Sequence, residues 1–168
     1  MIVESFNFSA NSRARVLILG SMPGVESLRR QQYYAHPRNA FWDIMNELFG
    51  AGRELAYVRR LARLRARGIA LWDVAQQCFR PGSLDARIQT ASVVANDFPA
   101  LFARCPHIHS VFFNGRTAEN LYHRLVWPQL TQPQQMLDYT ALPSTSPANA
   151  SLNKAQKLAQ WRAVTRGL

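Results

Sequence analysis

Val16-Leu17-Ile18-Leu19 is a short, wholly aliphatic run, and it ends on Gly20-Ser21-Met22-Pro23-Gly24. An apolar run of this length, stopped by turn residues, predicts a strand buried on both faces. The two glycines and the proline turn the chain sharply and leave a backbone bare enough for a ligand to approach. Strands of similar character are expected over Ile69 to Val74 and His109 to Phe113, with a fourth, less apolar one over Met136 to Leu142. Helical patterns separate them. Arg38 to Phe49 places Phe41, Ile44, Met45 and Leu48 on one face, Glu54 to Arg67 follows, and helices are expected near Asp97 to Arg104, Thr117 to Leu125 and Lys154 to Val164. The chain before Arg15, the Cys78 to Asp85 segment and Trp127 to Pro133 read as irregular.

Strands alternating with helices require a sheet whose faces are both covered. The predicted fold is α/β: a three-layer α/β/α sandwich around a central, mostly parallel four-stranded sheet, with residues 1–168 forming a single domain. Ligands of such sheets sit outside the carboxyl ends of the strands. Gly20 to Gly24, Asp73, Asn114-Gly115 and Pro143 to Asn149 all fall there, so four strand exits converge on one expected cleft.

A net charge of +10 favours a polyanionic partner, foremost nucleic acid. The basic residues are eighteen arginines and only two lysines, Lys154 and Lys157. Arginine suits bidentate phosphate contact but cannot form a Schiff base, so amine catalysis is not expected. The stripe Arg59, Arg63, Arg67 reads as a solvated helix face. Cys78 and Cys105 are too few for a disulfide framework or a thiolate metal site, and the four histidines lack metal-ligand spacing; no metal and no cofactor is expected. There is no apolar run of about 18 residues and no signal-peptide pattern, which gives the expectation of a cytoplasmic protein without membrane association. A monomer is expected.

The glycine loop is neither a Gly-Lys-Ser/Thr phosphate loop nor a GxGxxG dinucleotide turn, and Ser21 is not in a nucleophile elbow. Tyr33-Tyr34-Ala35-His36-Pro37-Arg38-Asn39-Ala40-Phe41-Trp42 crowds rings, an imidazole, a guanidinium and an amide into the start of a helix, a mixture no core needs. Pro143-Ser144-Thr145-Ser146-Pro147-Ala148-Asn149 is a loop of small hydroxyl residues, suited to lying close to a sugar–phosphate backbone.

These three segments, in this order, resemble the motifs of the uracil-DNA glycosylase superfamily from about Val16 to Asn149, and most closely the branch named for hypoxanthine-DNA glycosylase activity. Gly20 to Gly24 resembles the first motif, Leu142 to Pro147 the second, and Tyr34 to Trp42 the corresponding stretch of the mismatch-specific uracil/thymine glycosylases. The resemblance implies a monofunctional DNA glycosylase acting in base excision repair. Its partner is DNA carrying a deaminated base, hypoxanthine first and uracil or xanthine next. The position that usually holds a water-aligning Asp or Asn is Met22, whose thioether cannot do that work. The resemblance moves water positioning to Asn39, with Asp73 second and Asp43 a further candidate.

Base contacts are expected from Ser21, Met22, Tyr34, Asp73 and Asn114, with Tyr34 as the stacking ring and Phe41 and Trp42 in the core behind it. Pro143, Ser144, Thr145, Ser146, Pro147, Ala148 and Asn149 are the candidates for backbone contact or for a wedge into the vacated stack. Gly20, Pro23, Gly24, His36 and Arg38 complete the expected cleft. Bland roles stay open: Asn39 as a helix cap, Asp73 as a turn residue, Tyr34 as packing, His36 as a satisfied core residue, His107 and His109 as structural. A catalytically silent protein that binds damaged or single-stranded nucleic acid is the alternative function. A hydrolase using Ser144 or Ser146 lacks a matching base.

Overall fold

The computed structural model describes residues 1–168. Its central sheet contains β2 (Val16–Gly20), β3 (Ile69–Asp73), β6 (Ser110–Asn114) and β7 (Asp138–Leu142) in the order β3-β2-β6-β7, with every pairing parallel. All residues of β2, β3 and β6 are buried, as a strand covered on both faces demands. Side-chain alternation divides the core into two layers. Val16, Ile18, Ile69, Leu71 and Phe112 pack with Phe41, Trp42, Ile44, Met45 and Trp161 on one face; Leu17, Leu19, Ala70, Trp72, Val111 and Phe113 pack with Phe98, Leu101 and Tyr122 on the other.

The first of these layers is supplied by α2 (Phe41–Phe49), α3 (Tyr57–Ala66), α7 (Lys154–Trp161) and α8 (Ala163–Arg166), the second by α4 (Phe98–Arg104) and α5 (Arg116–Leu121). The expected three-layer sandwich is therefore present. Full burial of an aromatic such as Phe41 or Phe113 contributes about 2 to 3 kcal/mol each, so the sheet is held firmly from both sides. Cys78 and Cys105 are buried free thiols.

Two expectations need correction. The start of the chain is not irregular: β1 (Ile2–Glu4) pairs with β4 (Ala75–Phe79), which pairs with β5 (Gln89–Ala95), and these form a separate antiparallel sheet. The Cys78 to Asp85 loop accordingly begins as strand. The chain leaves β3 at Asp73 and enters β4 within two residues, crossing beneath the first loop as Val74 N–H donates to Gly20 O (2.8 Å) and Ala75 N–H to Ser21 O (3.0 Å). A further short helix, α1 (Val25–Arg30), follows the glycine loop, and α6 (Gln132–Gln135) precedes β7.

Candidate active site

The four strand exits meet at one cavity of about 630 Å3, within the range of small-molecule sites. Its wall includes Gly20 to Gly24, Tyr34, His36, Arg38, Asn39, Asp73, Asn114 and Ser144 to Asn149. Of the expected residues only Asp43 and Pro143 stand outside the wall; the Pro143 carbonyl accepts from Trp161 Nε1 (2.9 Å), which ties the loop to α7.

Asp73 closes β3 at the cavity floor and is 3% exposed. Its Oδ2 has no hydrogen-bond partner, and Tyr34 Oη, also sealed from water, has none either. Two such orphans beside each other are costly, at about 1 to 3 kcal/mol apiece. Burial pushes the Asp73 carboxyl up to about 7; the charge of Asp85 adds to the rise and the Arg80 guanidinium opposes it. Tyr34 and Asp73 crowd the bare Cα of Gly20, where a Cβ would strike Asp73 Oδ1 and come within 3.0 Å of Tyr34 Oη. Glycine is there because the space is taken.

Tyr34 has φ +55°, an uncommon conformation for an aromatic residue. One face of its ring stacks on Phe41 at 4.0 Å and 29°. The residue as a whole is only half-buried, while its hydroxyl is sealed. Burial first, then the Asp73 charge, raises the phenol far above its ordinary range; the Asn114 amide works in the opposite direction without reaching hydrogen-bonding geometry. The strained segment is fixed from beneath by Trp42 Nε1, which donates to Tyr33 O (2.8 Å), and by Tyr33 Oη, which donates to Asn7 O (2.9 Å). Phe41 and Trp42 are core residues, as expected.

Asn39 lines the cavity two residues before α2, and its Oδ1 accepts from Phe41 N–H (2.9 Å). That bond orients the amide and leaves Nδ2 without a protein partner. His36 Nδ1 accepts from Arg38 N–H (3.1 Å), so the neutral ring carries its hydrogen on Nε2. Asp43 is on the outside of α2, held by Arg53 (2.7 Å) and Lys154 (3.5 Å), and forms no part of the cavity. It is withdrawn as a candidate.

The second loop is clamped at its base. Asn114 Nδ2 donates to Thr145 Oγ1 and Asn114 Oδ1 accepts from Thr145 N–H, both at 2.9 Å. Much of the Asn114 amide is thus engaged in positioning the loop. Gly115, at φ +95°, lets β6 leave beside Ser144, whose Cβ would be 3.1 Å from a side chain there. Ser144 Oγ accepts from Ser146 N–H and Ser146 Oγ from Ala148 N–H, each at 3.2 Å, so neither bond uses the hydroxyl hydrogen. Lys157 is buried behind the loop, donates to Ser146 O (3.1 Å), and has its amine pushed down by burial. It does not line the cavity.

Sequence reasoning missed the support of the first loop. Arg80 is 1% exposed and meets only carbonyls: its guanidinium donates to Gly82 O (2.8 Å), Met22 O (3.5 Å) and Pro23 O (2.5 Å). The Met22 thioether packs on Ala75 and Cys78. Ser21 Oγ donates to Asp85 Oδ1 (2.7 Å). Asp85 is exposed as a residue, yet its carboxyl is crowded enough at the cleft wall that burial raises it, against the Ser21 hydrogen bond and the Arg80 charge. An arginine beside a Pro-Gly turn was the available signal, but spacing alone does not tell a buried guanidinium from a solvated one.

The uracil DNA glycosylase superfamily model matches residues 6–165. The chain is 35% identical over 167 residues to a hypoxanthine DNA glycosylase of Methanosarcina acetivorans, covering 99% of both proteins. To a hypoxanthine DNA glycosylase of Methanosarcina barkeri it is 36% identical over 107 residues, covering 63% of this chain and 66% of that one. A solution NMR structure of a uracil DNA glycosylase-like protein from Methanosarcina acetivorans superimposes with TM-score 0.80 at 34% identity, over 99% of this chain and 98% of that one. With the fold, the cleft and the motif loops agreeing, the chain belongs to the uracil DNA glycosylase superfamily.

Proposed function

We propose that this protein is a monofunctional DNA glycosylase that removes hypoxanthine from DNA and leaves an abasic site, an entry point for base excision repair. The observation that carries the reading is the unpartnered Asp73 carboxyl on the floor of a cavity sized for one nucleotide. The names of the two Methanosarcina relatives support the same substrate. Uracil and xanthine are secondary candidates.

A base inside a duplex cannot be reached, so the nucleotide rotates into the cleft. The base stacks against Tyr34. Asp73, whose protonated form is favoured by burial, donates to a ring nitrogen of the purine. As the C1′–N9 bond breaks, its electron pair leaves with the base, and that donation neutralises the developing charge. A pyrimidine such as uracil has no equivalent free ring nitrogen, which favours the purine. Asn39 holds a water beside C1′; the water adds to the oxocarbenium-like sugar and its proton passes to solvent. Ser144, Ser146 and Arg38 are suited to holding the phosphates on either side.

The test is incubation of the purified protein with duplexes carrying one hypoxanthine, uracil or xanthine, followed by hot alkali. Cleavage after alkali and not before it, strongest with hypoxanthine, is the expected result. Binding without any cleavable product would support the silent nucleic-acid-binding alternative, which the Met22 thioether at the usual water-aligning position favours.

A further inference from the structure

We propose that the hydroxyl of Tyr34 is a positioning group for Asp73: it turns its hydrogen onto the carboxylate that Asp73 becomes once its proton has left with the base. The inference rests on the base-releasing reading above, which uses only the ring of Tyr34. A tyrosine ordinarily buries its ring and keeps its oxygen in water or bonded. Tyr34 is arranged the other way round: the residue is half-buried, while Oη is sealed and unpartnered. Phenylalanine would give the same stack on Phe41 without that cost. The hydroxyl therefore needs a use that stacking does not supply.

Its surroundings point to Asp73. Both groups crowd the Cα of Gly20, where a Cβ would strike Asp73 Oδ1 and stand 3.0 Å from Tyr34 Oη. Asp73 Oδ2 is likewise sealed and without a partner. Side-chain donors nearby are spent on other acceptors: Asn114 Nδ2 on Thr145 Oγ1 (2.9 Å), Asn96 Nδ2 on the Asp73 main-chain O (2.7 Å), Ser21 Oγ on Asp85 Oδ1 (2.7 Å) and Tyr33 Oη on Asn7 O (2.9 Å). Tyr34 is held in place from both sides, since Tyr33 N–H donates to Tyr57 Oη (2.9 Å) and Ala35 N–H to Ser27 Oγ (3.0 Å).

The step balances without a further reactant. The Asp73 proton moves to the purine nitrogen as the C1′–N9 pair leaves with the base, and Asp73 is left ionised in a site that disfavours charge. The Tyr34 O–H bond stays intact and donates to that carboxylate; burial holds the phenol far above its ordinary range, so it gives up no proton. Solvent returns a proton to Asp73 after the base departs. Other groups bear on the pair: Asp85 favours the protonated acid, Arg80 opposes it, and the phenols of Tyr33 and Tyr57 stand nearby. Glu26, His36 and Arg38 line the same cavity. All of these remain in Tyr34→Phe, which removes the hydroxyl alone.

The experiment measures single-turnover release of hypoxanthine from a duplex by wild type, Tyr34→Phe, Asp73→Asn and the double variant between about pH 5 and 9. Donation to a carboxylate favours its charged form, so loss of the donor raises the Asp73 value. Tyr34→Phe is expected to be about tenfold slower with DNA affinity within about twofold of wild type, and its fall in rate with pH should move upward by about half a pH unit or more. In the Asp73→Asn background the same change should cost less than about twofold. An unmoved pH limb, an unchanged rate, or a loss that multiplies fully with Asp73→Asn would overturn the pairing. A loss confined to DNA affinity would do so too, since it marks a stacking role. Carboxyl titration of Asp73 by carbon NMR, in wild type and Tyr34→Phe without DNA, reads the same contact independently of turnover. An upward shift is expected in the variant, and none would overturn the proposal. If wild type releases no base from any duplex while that shift is present, the glycosylase reading falls and the pairing stands.

Discussion

The carboxyl of Asp73 occupies the space that a side chain at residue 20 would need. The backbone of one strand exit and the side chain of the next are thereby fitted to each other, with Tyr34 Oη as the third member of the contact. Gly20→Ala is expected to displace Asp73. Its base-release rate should fall by about a hundredfold or more, while chemical unfolding shows a loss of only about 1 to 3 kcal/mol. A variant that keeps full activity would show that Asp73 need not sit where it does.

The ionisation of Asp73 links pH to both stability and rate. Its folded-state value, about 7, is raised by burial above the unfolded value of about 4. Between those two values the folded state holds the extra proton. The contribution is complete below about pH 4 and is lost as pH rises toward about 7, at no more than about 1.4 kcal/mol per pH unit. Asp73→Asn should flatten this part of the stability profile. In wild type, kcat for hypoxanthine should decline as pH rises through about 7. Asp73→Asn, which donates a hydrogen bond but no proton, should lose about a hundredfold in kcat with little change in KM, and its rate should no longer follow that titration.

Asn39 carries a local turn bond to Phe41, ahead of the Ala40 cap of α2, and a proposed catalytic one, and the two separate by magnitude. Asn39→Ala removes the acceptor for Phe41 N–H, worth about 1 kcal/mol of stability. It should also reduce single-turnover base release by far more than tenfold, with DNA affinity little changed. Near-normal turnover in this variant would confine Asn39 to its turn bond with Phe41.

Arg80→Ala and Arg80→Lys test the anchor under the first loop. Truncation strands the carbonyls of Met22, Pro23 and Gly82 in the interior, and a loss of about 2 to 5 kcal/mol is expected in urea unfolding. Lysine should not restore it, because one ammonium cannot span carbonyls that a planar fork reaches together.

Neither lysine is placed for covalent catalysis: Lys157 faces Ser146 O from behind the loop, and Lys154 is paired with Asp43. Borohydride reduction during turnover should trap no protein–DNA adduct. A trapped adduct would mean that Lys157 reaches the cavity.

The parallel sheet was legible because β2, β3 and β6 are so completely enclosed that their apolar runs leave little room for another assignment. The cleft was legible for the same reason, since strand direction decides which loops meet. The antiparallel sheet was hidden: β4 reads Ala-Gln-Gln-Cys-Phe, and register shifts along its pairing with β5 interrupt its alternation. Tertiary setting also decided Asn114, whose type suggests base reading but whose amide clamps Thr145, and Arg80, whose burial comes from carbonyls far from it in sequence.

Arg80 has a consequence for how a target would be selected. With Met22 and Pro23 tethered from below and the second loop held by Asn114 and Lys157, both jaws of the cleft exist before DNA arrives. Deformation on binding is thereby shifted from protein to nucleic acid. On the proposed reading, the first discrimination among lesions is mechanical: weakly paired nucleotides leave the helix readily and reach the cavity floor, while well-stacked ones turn back before any polar group has inspected them.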